Sequence, residues 1–383
     1  MEPAIIAAVD TLLAYAQANL ANIIALIQRM VECESPSDSP AALAEFVSLI
    51  SAELAPMAKI RNFRHGHMAA EFRLPGPKKN GQILVLGHSD TVWPMGTLAT
   101  MPFRQEKGRL WGPGVLDMKS GLAFFVFAMR ALRELDISVS KKVVLRLNAD
   151  EEVGSRTSRT LTENVAERSD LVLVLEPGTG LEGRVKTARK GVGLYRIAVR
   201  GRASHAGVDF EAGASAIVEL ARQIGRIAGF SNRKRGITVN PGVISGGTRS
   251  NVVAAEAGVE VDIRVARVED FGALDRRFRG LRPFDKRCAI EVSGGLNRPP
   301  MERSRGIRQL FARARELGRG IGVEVEESAT GGGSDGNFTA ALGVPTLDGL
   351  GGVGEGAHAR NESILIDRIA DRTALLAKLI AAS

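Results

Sequence analysis

The sequence predicts an α/β fold, an open sheet flanked by helices with a smaller α+β module inserted, and three observations carry that expectation. Short apolar runs at residues 82–87, 142–148 and 170–175 each lead into polar or acidic residues, the pattern of buried strands that deliver side chains at their carboxyl ends. A helix-like apolar segment at 121–135 separates the first two runs, so strand and helix alternate. From about Gly191 the texture changes to apolar/polar alternation broken by amphipathic helices, which marks a second module.

Taken in order, the chain opens on Ile5, Ile6, Val9, Leu12, Leu13, Leu20, Ile23, Ile24, Ile27 and Met30, whose helical spacing reads as one packed face. Residues 11–28 are uncharged, but Thr11, Gln17, Asn19, Asn22 and Gln28 would be costly in a bilayer, so no membrane span is expected. No Lys or Arg precedes Arg29, so the basic start of a secretory signal is missing and a cytoplasmic location is expected. The run at 82–87 leads into His88-Ser89-Asp90, that at 142–148 into Asp150-Glu151-Glu152, and that at 170–175 into Glu176-Pro177. Such clusters at strand ends place the chemistry outside the carboxyl edge of the sheet. In the second module, strands at 194–199, 237–244, 257–265 and 289–292 and helices at 213–230 and 272–281 give a β-α-β-β-α-β, ferredoxin-like order. After Pro299-Pro300 the first pattern resumes and ends in a helix at 367–382. The catalytic domain is therefore expected to be discontinuous, residues 1–190 and 299–383, around an insertion at 191–298.

Composition bounds the function. With 383 residues, 44% apolar and 25% charged, the chain has the balance of a globular protein of two domains. Its two cysteines, Cys33 and Cys288, lie outside any paired-ligand spacing and are expected as free thiols. The net charge of +8, with basic residues thickest at 233–235 and 276–287, suits either a solvated face or attraction of small anionic substrates. Nucleic acid is not an expected partner, because aromatics are 5% and no binding motif occurs.

Of the five histidines, His65 and His67 fall in a polar stretch and are expected in a surface loop. His88 and Asp90 lie two apart at a strand end and project to one side, so Asp90 is placed to anchor the second ring nitrogen of His88. Asp117 sits between a Gly/Pro turn and a helix start, as a helix cap or as a presented ligand. The triple carboxylate at 150–152 calls for solvent or cations; one glutamate can bind metal while its neighbour takes a proton from water. Glu176 and His358, the latter in a glycine-rich turn, extend the set. Two histidines and three carboxylates suffice for two divalent ions sharing a bridging carboxylate, and such ligands accept Zn²⁺, Co²⁺ or Mn²⁺.

Gly87-His88-Ser89-Asp90-Thr91-Val92, Gly114-Val115-Leu116-Asp117-Met118-Lys119-Ser120-Gly121, Asp150-Glu151-Glu152-Val153-Gly154 and Glu176-Pro177 resemble successive motifs of the M20 metallopeptidases. So do Ser204-His205-Ala206-Gly207, Ser250-Asn251-Val252, Gly331-Gly332-Gly333-Ser334-Asp335-Gly336 and Gly356-Ala357-His358, in order along nearly the whole chain. The nearest subgroup is the glutamate carboxypeptidases, which remove C-terminal glutamate from peptides or folates. The resemblance implies a zinc-peptidase-type mixed sheet and a homodimer formed through the inserted dimerisation/lid domain. It implies two metal ions per subunit, zinc foremost: Asp117 bridges them, His88 and Glu176 complete one site, Glu152 and His358 the other. Glu151 would be the general base, Asp90 would orient His88, and His205 would reach the active site of the other subunit. Arg264 would grip a substrate carboxylate with help from Asn251, and Gly332 and Gly333 would offer backbone contacts. The implied substrate is a small peptide or N-acyl amino acid.

Overall fold

A computed structural model describes residues 10–383; Ile5, Ile6 and Val9 of the expected N-terminal helix lie outside the described residues. That helix is two helices, Thr11–Ala18 and Leu20–Glu32, bent by 60°. The break falls at Asn19, whose side-chain amide donates back to the Tyr15 carbonyl at 3.0 Å, the local competition with helical bonding that favours Asn at helix ends. Leu12, Ile23, Leu26, Ile27, Met30 and Val31 are buried in the core. Among the described residues no single helix is long and apolar enough to cross a membrane.

Two compact units divide the chain. One comprises the residues up to Ala188 with Arg303–Ala329 and Ser334–Ser383; the other comprises Arg189–Glu302 with Thr330–Gly333. The glycine stretch Thr330–Gly333 thus groups with the insertion and not with the chain that flanks it.

In the first unit a six-stranded mixed sheet runs Ala58–Asn62, Met68–Phe72, Lys142–Asn148, Gln82–His88, Leu171–Val174, Thr346–Leu347. Gln82–His88 is parallel to both neighbours, and the first two strands are antiparallel additions. Residues Ile83 to His88 are all buried, as a central parallel strand covered on both faces requires. The helix Ser120–Glu134 is buried along nearly its whole length, which explains why its sequence shows little amphipathic alternation. It packs beside the C-terminal helix Ile369–Ala381.

In the second unit four antiparallel strands lie in the order Thr238–Gly246, Glu256–Val265, Gly191–Arg200, Ala289–Arg298, with helices Ala216–Ala228 and Val268–Arg279 packed on the sheet. Alternate strand residues, among them Tyr195, Ile197, Val259 and Val261, meet Leu220, Ile227 and Phe278 of the helices. Tyr195 stacks on Phe278 with ring centres 3.9 Å apart. Residues 189–302 hold 20 Lys and Arg against 12 Asp and Glu, so the whole +8 excess of the chain resides there.

Candidate metal centre

The strand Gln82–His88 delivers a buried imidazole at its carboxyl end. His88 Nδ1 donates to the Asp90 backbone carbonyl at 2.9 Å, which leaves Nε2 as the outward-facing nitrogen. Nε2 lies 3.3 Å from Asp117 Oδ1 and 3.5 Å from Glu176 Oε1. The Asp90 carboxylate stands farther from the ring, 3.5 Å from Nδ1. Its firmer contacts are elsewhere: it accepts from Ser37 Oγ (2.8 Å) and from the backbone N–H groups of Glu151 (3.2 Å) and Glu152 (3.1 Å). Asp90 therefore holds the acidic loop in place as well as flanking His88.

Asp117 belongs to Val115–Lys119 and is joined to Met118 by a cis peptide; the helix begins at Ser120, so Asp117 is not its cap. Its two oxygens face two histidines, Oδ1 toward His88 and Oδ2 toward His358 Nε2 at 3.4 Å. His358, in the left-handed conformation with φ 61°, also lies 3.2 Å from Glu152 Oε1. Ligating atoms of His88, Glu151 and Glu176 fall within 4.8 Å of one another, as do those of His88, Asp117 and Glu152. His88, Glu152 and His358 thus gather about the Asp117 carboxylate, with Glu151 and Glu176 beside His88.

The acidic loop is braced from behind. Asp335 accepts from Ser155 Oγ (2.5 Å) and Asn148 Nδ2 (2.6 Å), and Asp150 accepts from Thr157 N and Oγ1, both at 2.7 Å. His67, expected on the surface, is instead buried: it accepts from Ala149 N (3.1 Å) and donates through Nε2 to Thr157 Oγ1 (2.8 Å). Burial pushes its pKa below the ordinary histidine value, in keeping with this neutral, fully bonded ring. The reason is register: Met68 pairs with Leu147, which brings His67 to the end of the strand Lys142–Asn148, within reach of Ala149 N. Its neighbour His65 is exposed.

The electrostatics are those of a cation site. Burial opposes a charge on His88, but Asp117, Asp90 and Glu176 together raise its pKa well above the ordinary value. Asp117, then Glu152, pushes His358 up to about 10. Burial raises Glu152, whose buried Oε1 faces the His358 imidazole at 3.2 Å. Clustered, buried carboxylates and imidazole nitrogens suit a divalent cation, and this nitrogen/oxygen donor set fits zinc, cobalt or manganese.

A pH dependence follows. Both imidazoles must lose a proton before they can ligate. Metal loading is therefore expected to release protons, and apparent affinity to rise with pH from neutrality toward about 10. In the metal-free protein the raised His358 contributes stability that is complete below the unfolded value of about 6.5 and is lost as pH climbs through about 10. Calorimetry of metal binding in two buffers of different ionisation enthalpy measures the release; an identical heat in both would refute it.

The other residues singled out in the sequence lie in the second unit. His205 is exposed, its Nδ1 accepts from Gly207 N at 3.2 Å, and its segment pairs with that of Asn251 through Ala206 N to the Asn251 carbonyl, 2.9 Å. Arg264 forks onto Asp262, with Nε and Nη2 each 2.9 Å from a carboxylate oxygen, and donates from Nη1 to the Gly331 carbonyl at 3.1 Å. The carbonyls of Gly332 and Gly333 both accept from Arg189 Nη1, at 3.2 and 2.9 Å. A Cβ on Gly333 would stand 2.9 Å from Arg298 and Val192, so close packing alone requires glycine there.

The residue that sequence reasoning missed is Glu362, which accepts the backbone N–H of Asp117. It follows His358 by four positions, but nothing in its spacing distinguishes it from a surface acid.

The sequence profile of peptidase family M20/M25/M40 matches residues 84–382. The chain belongs to that family. Among its M20 relatives, carboxypeptidase G2 of Pseudomonas sp. (strain RS-16) is 29% identical over 371 residues, 94% of this chain and 88% of the relative. Acetylornithine deacetylase of Proteus mirabilis (strain HI4320) is 31% identical over 199 residues, 48% of this chain and 50% of the relative. The crystal structure of aminopeptidase PepT from Bacillus cereus ATCC 10987 superposes with a TM-score of 0.77 at 22% identity, covering 95% of this chain and 98% of that one. The mixed sheet with its inserted antiparallel module is thus the M20 fold.

Proposed function

We propose that this M20 peptidase is a dimetal-dependent hydrolase that cleaves the amide bond next to a C-terminal amino acid, glutamate foremost. The observation that carries the reading is the Asp117 carboxylate, one oxygen toward His88 and the other toward His358. Asp117 would bridge two cations, His88 and Glu176 completing one site and Glu152 and His358 the other. Cations held there supply Lewis acidity, acidifying water and polarising the scissile carbonyl. Glu151, whose backbone is held by Asp90, accepts the proton from the attacking water at its carboxylate and passes it to the departing nitrogen. Asp90, through its carbonyl, holds the His88 ring with Nε2 facing Asp117 and Glu176.

The substrate carboxylate falls to Arg264, which would exchange Asp262 for it, with Asn251 and the backbone of Gly332 and Gly333 beside the chain end. The positive excess of residues 189–302 favours an anionic substrate over one bearing an amino group. Assembly is read as a homodimer through the inserted module, in which His205 of the partner subunit would hydrogen-bond the developing oxyanion. A second reading, an N-acyl amino acid deacylase, is favoured by the similarity to acetylornithine deacetylase. A binding protein that retains metal without turnover is disfavoured by the presence of Glu151.

Zinc-, cobalt- or manganese-loaded protein assayed against an N-acyl-glutamate, a folate-type glutamate conjugate, N-acetylornithine and N-succinyl-diaminopimelate separates these. Release of glutamate alone is the expected result. Turnover of the ornithine or diaminopimelate substrate would move the function to the deacylases, and turnover of none, with two metals bound, would refute both.

A further inference from the structure

Glu362 precedes the strand Ser363–Leu365 and is wholly buried. A carboxylate taken out of water is costly unless its lone pairs are filled, and here they are filled by four donors. Oε2 accepts from Trp93 Nε1 (2.7 Å) and Gly114 N (2.9 Å); Oε1 accepts from Leu116 N (2.9 Å) and Asp117 N (3.0 Å). The residue's own N–H donates to the Ala359 carbonyl at 2.9 Å, closing the turn that carries His358. One side chain therefore ties together the loop that presents Asp117, the turn that presents His358 and the segment three residues beyond Asp90. Trp93 in turn walls a cavity of about 370 Å³ with Met95, Met101, Arg104 and Arg360.

We propose that Glu362 is the positioning residue of the metal centre, an acceptor-only anchor that sets Asp117 and Trp93 at once. The proposal rests on the reading of Asp117 and His358 as ligands. All four partners are N–H groups, and an ionised carboxylate is the side chain that offers about four acceptor sites and no donor. Glutamine has the same shape, yet its amide would face two of those N–H groups with hydrogens of its own. Aspartate keeps the charge, but is one methylene too short to serve both pairs.

The test is cobalt binding by wild type, Glu362→Gln and Glu362→Asp, followed by equilibrium dialysis and the visible absorption of the bound ion. Emission of Trp93 is read in a Trp111→Phe background, since the chain has two tryptophans. Folding is checked by far-UV circular dichroism. Glu362→Gln is expected to bind cobalt roughly 10–100-fold more weakly, with an altered absorption envelope and a red-shifted Trp93 emission. Should that variant not fold, Glu362→Asp carries the same expectation. A folded variant with lowered thermal stability but unchanged cobalt affinity and spectrum would make Glu362 a structural cap only and overturn the proposal. Wild type that binds no cobalt would instead overturn the ligand assignment, and the proposal with it.

Discussion

Glu151→Ala is expected to lower kcat by about 10²–10⁴-fold, the usual worth of a positioned general base, while both metal equivalents stay bound. Two features separate the chemistry of this side chain from the integrity of its loop. The backbone N–H of Glu151 is held by Asp90, and the loop behind it is braced by Asp335, Asp150 and Thr157, none of which needs the Glu151 carboxylate. Glu152, the neighbour facing His358, supplies the negative charge on the other side. Metal content by elemental analysis and single-turnover rates on the best substrate read the two consequences independently. A variant within tenfold of wild type would remove Glu151 from the mechanism; one that loses metal would make it a ligand instead.

Asp117→Asn is expected to have the larger effect on binding. The substitution preserves volume but removes the shared anion between His88 and His358 and replaces one acceptor by an amide donor. Both metal equivalents should be lost to dialysis under conditions where wild type keeps them, with activity falling below detection. His358 offers a readout in the metal-free protein. Asp117 is the first cause of its elevation to about 10, so in the variant the ring should titrate closer to the ordinary value, held up by Glu152 alone. With five histidines in the chain, their proton resonances can be followed individually against pH. A variant that keeps two metals, or a His358 titration that does not move, would count against the bridging role.

Much of the site was legible because its residues sit in local patterns. His88, the 150–152 cluster and Glu176 each follow a short apolar run, and in an open α/β sheet the side chains just past such strands gather at the carboxyl edge. The alternation from Gly191 onward was equally direct, since one face of an antiparallel sheet is covered by helices and the other is not. Two expectations differ from the structure, one through a contact distant along the chain and one through a local hydrogen bond. His67 reads as part of a polar loop until the pairing of its strand brings it within reach of Ala149 N, 82 residues along the chain. The bend at Asn19 came from a side-chain hydrogen bond that apolar periodicity does not record.

By itself, then, the sequence determined the alternating α/β plan, the inserted module and the identity of the clustered histidines and carboxylates. Periodicity and strand ends are properties of a few consecutive residues, so a linear reading reaches them. Only the tertiary structure showed the distances within that set, with Asp117 between two histidines 29 residues behind it and 241 ahead, and it alone brought Glu362 to the backbone of Asp117, 245 residues along the chain. A buried polar group must find its partners wherever the packed chain supplies them, and no local pattern says where that will be.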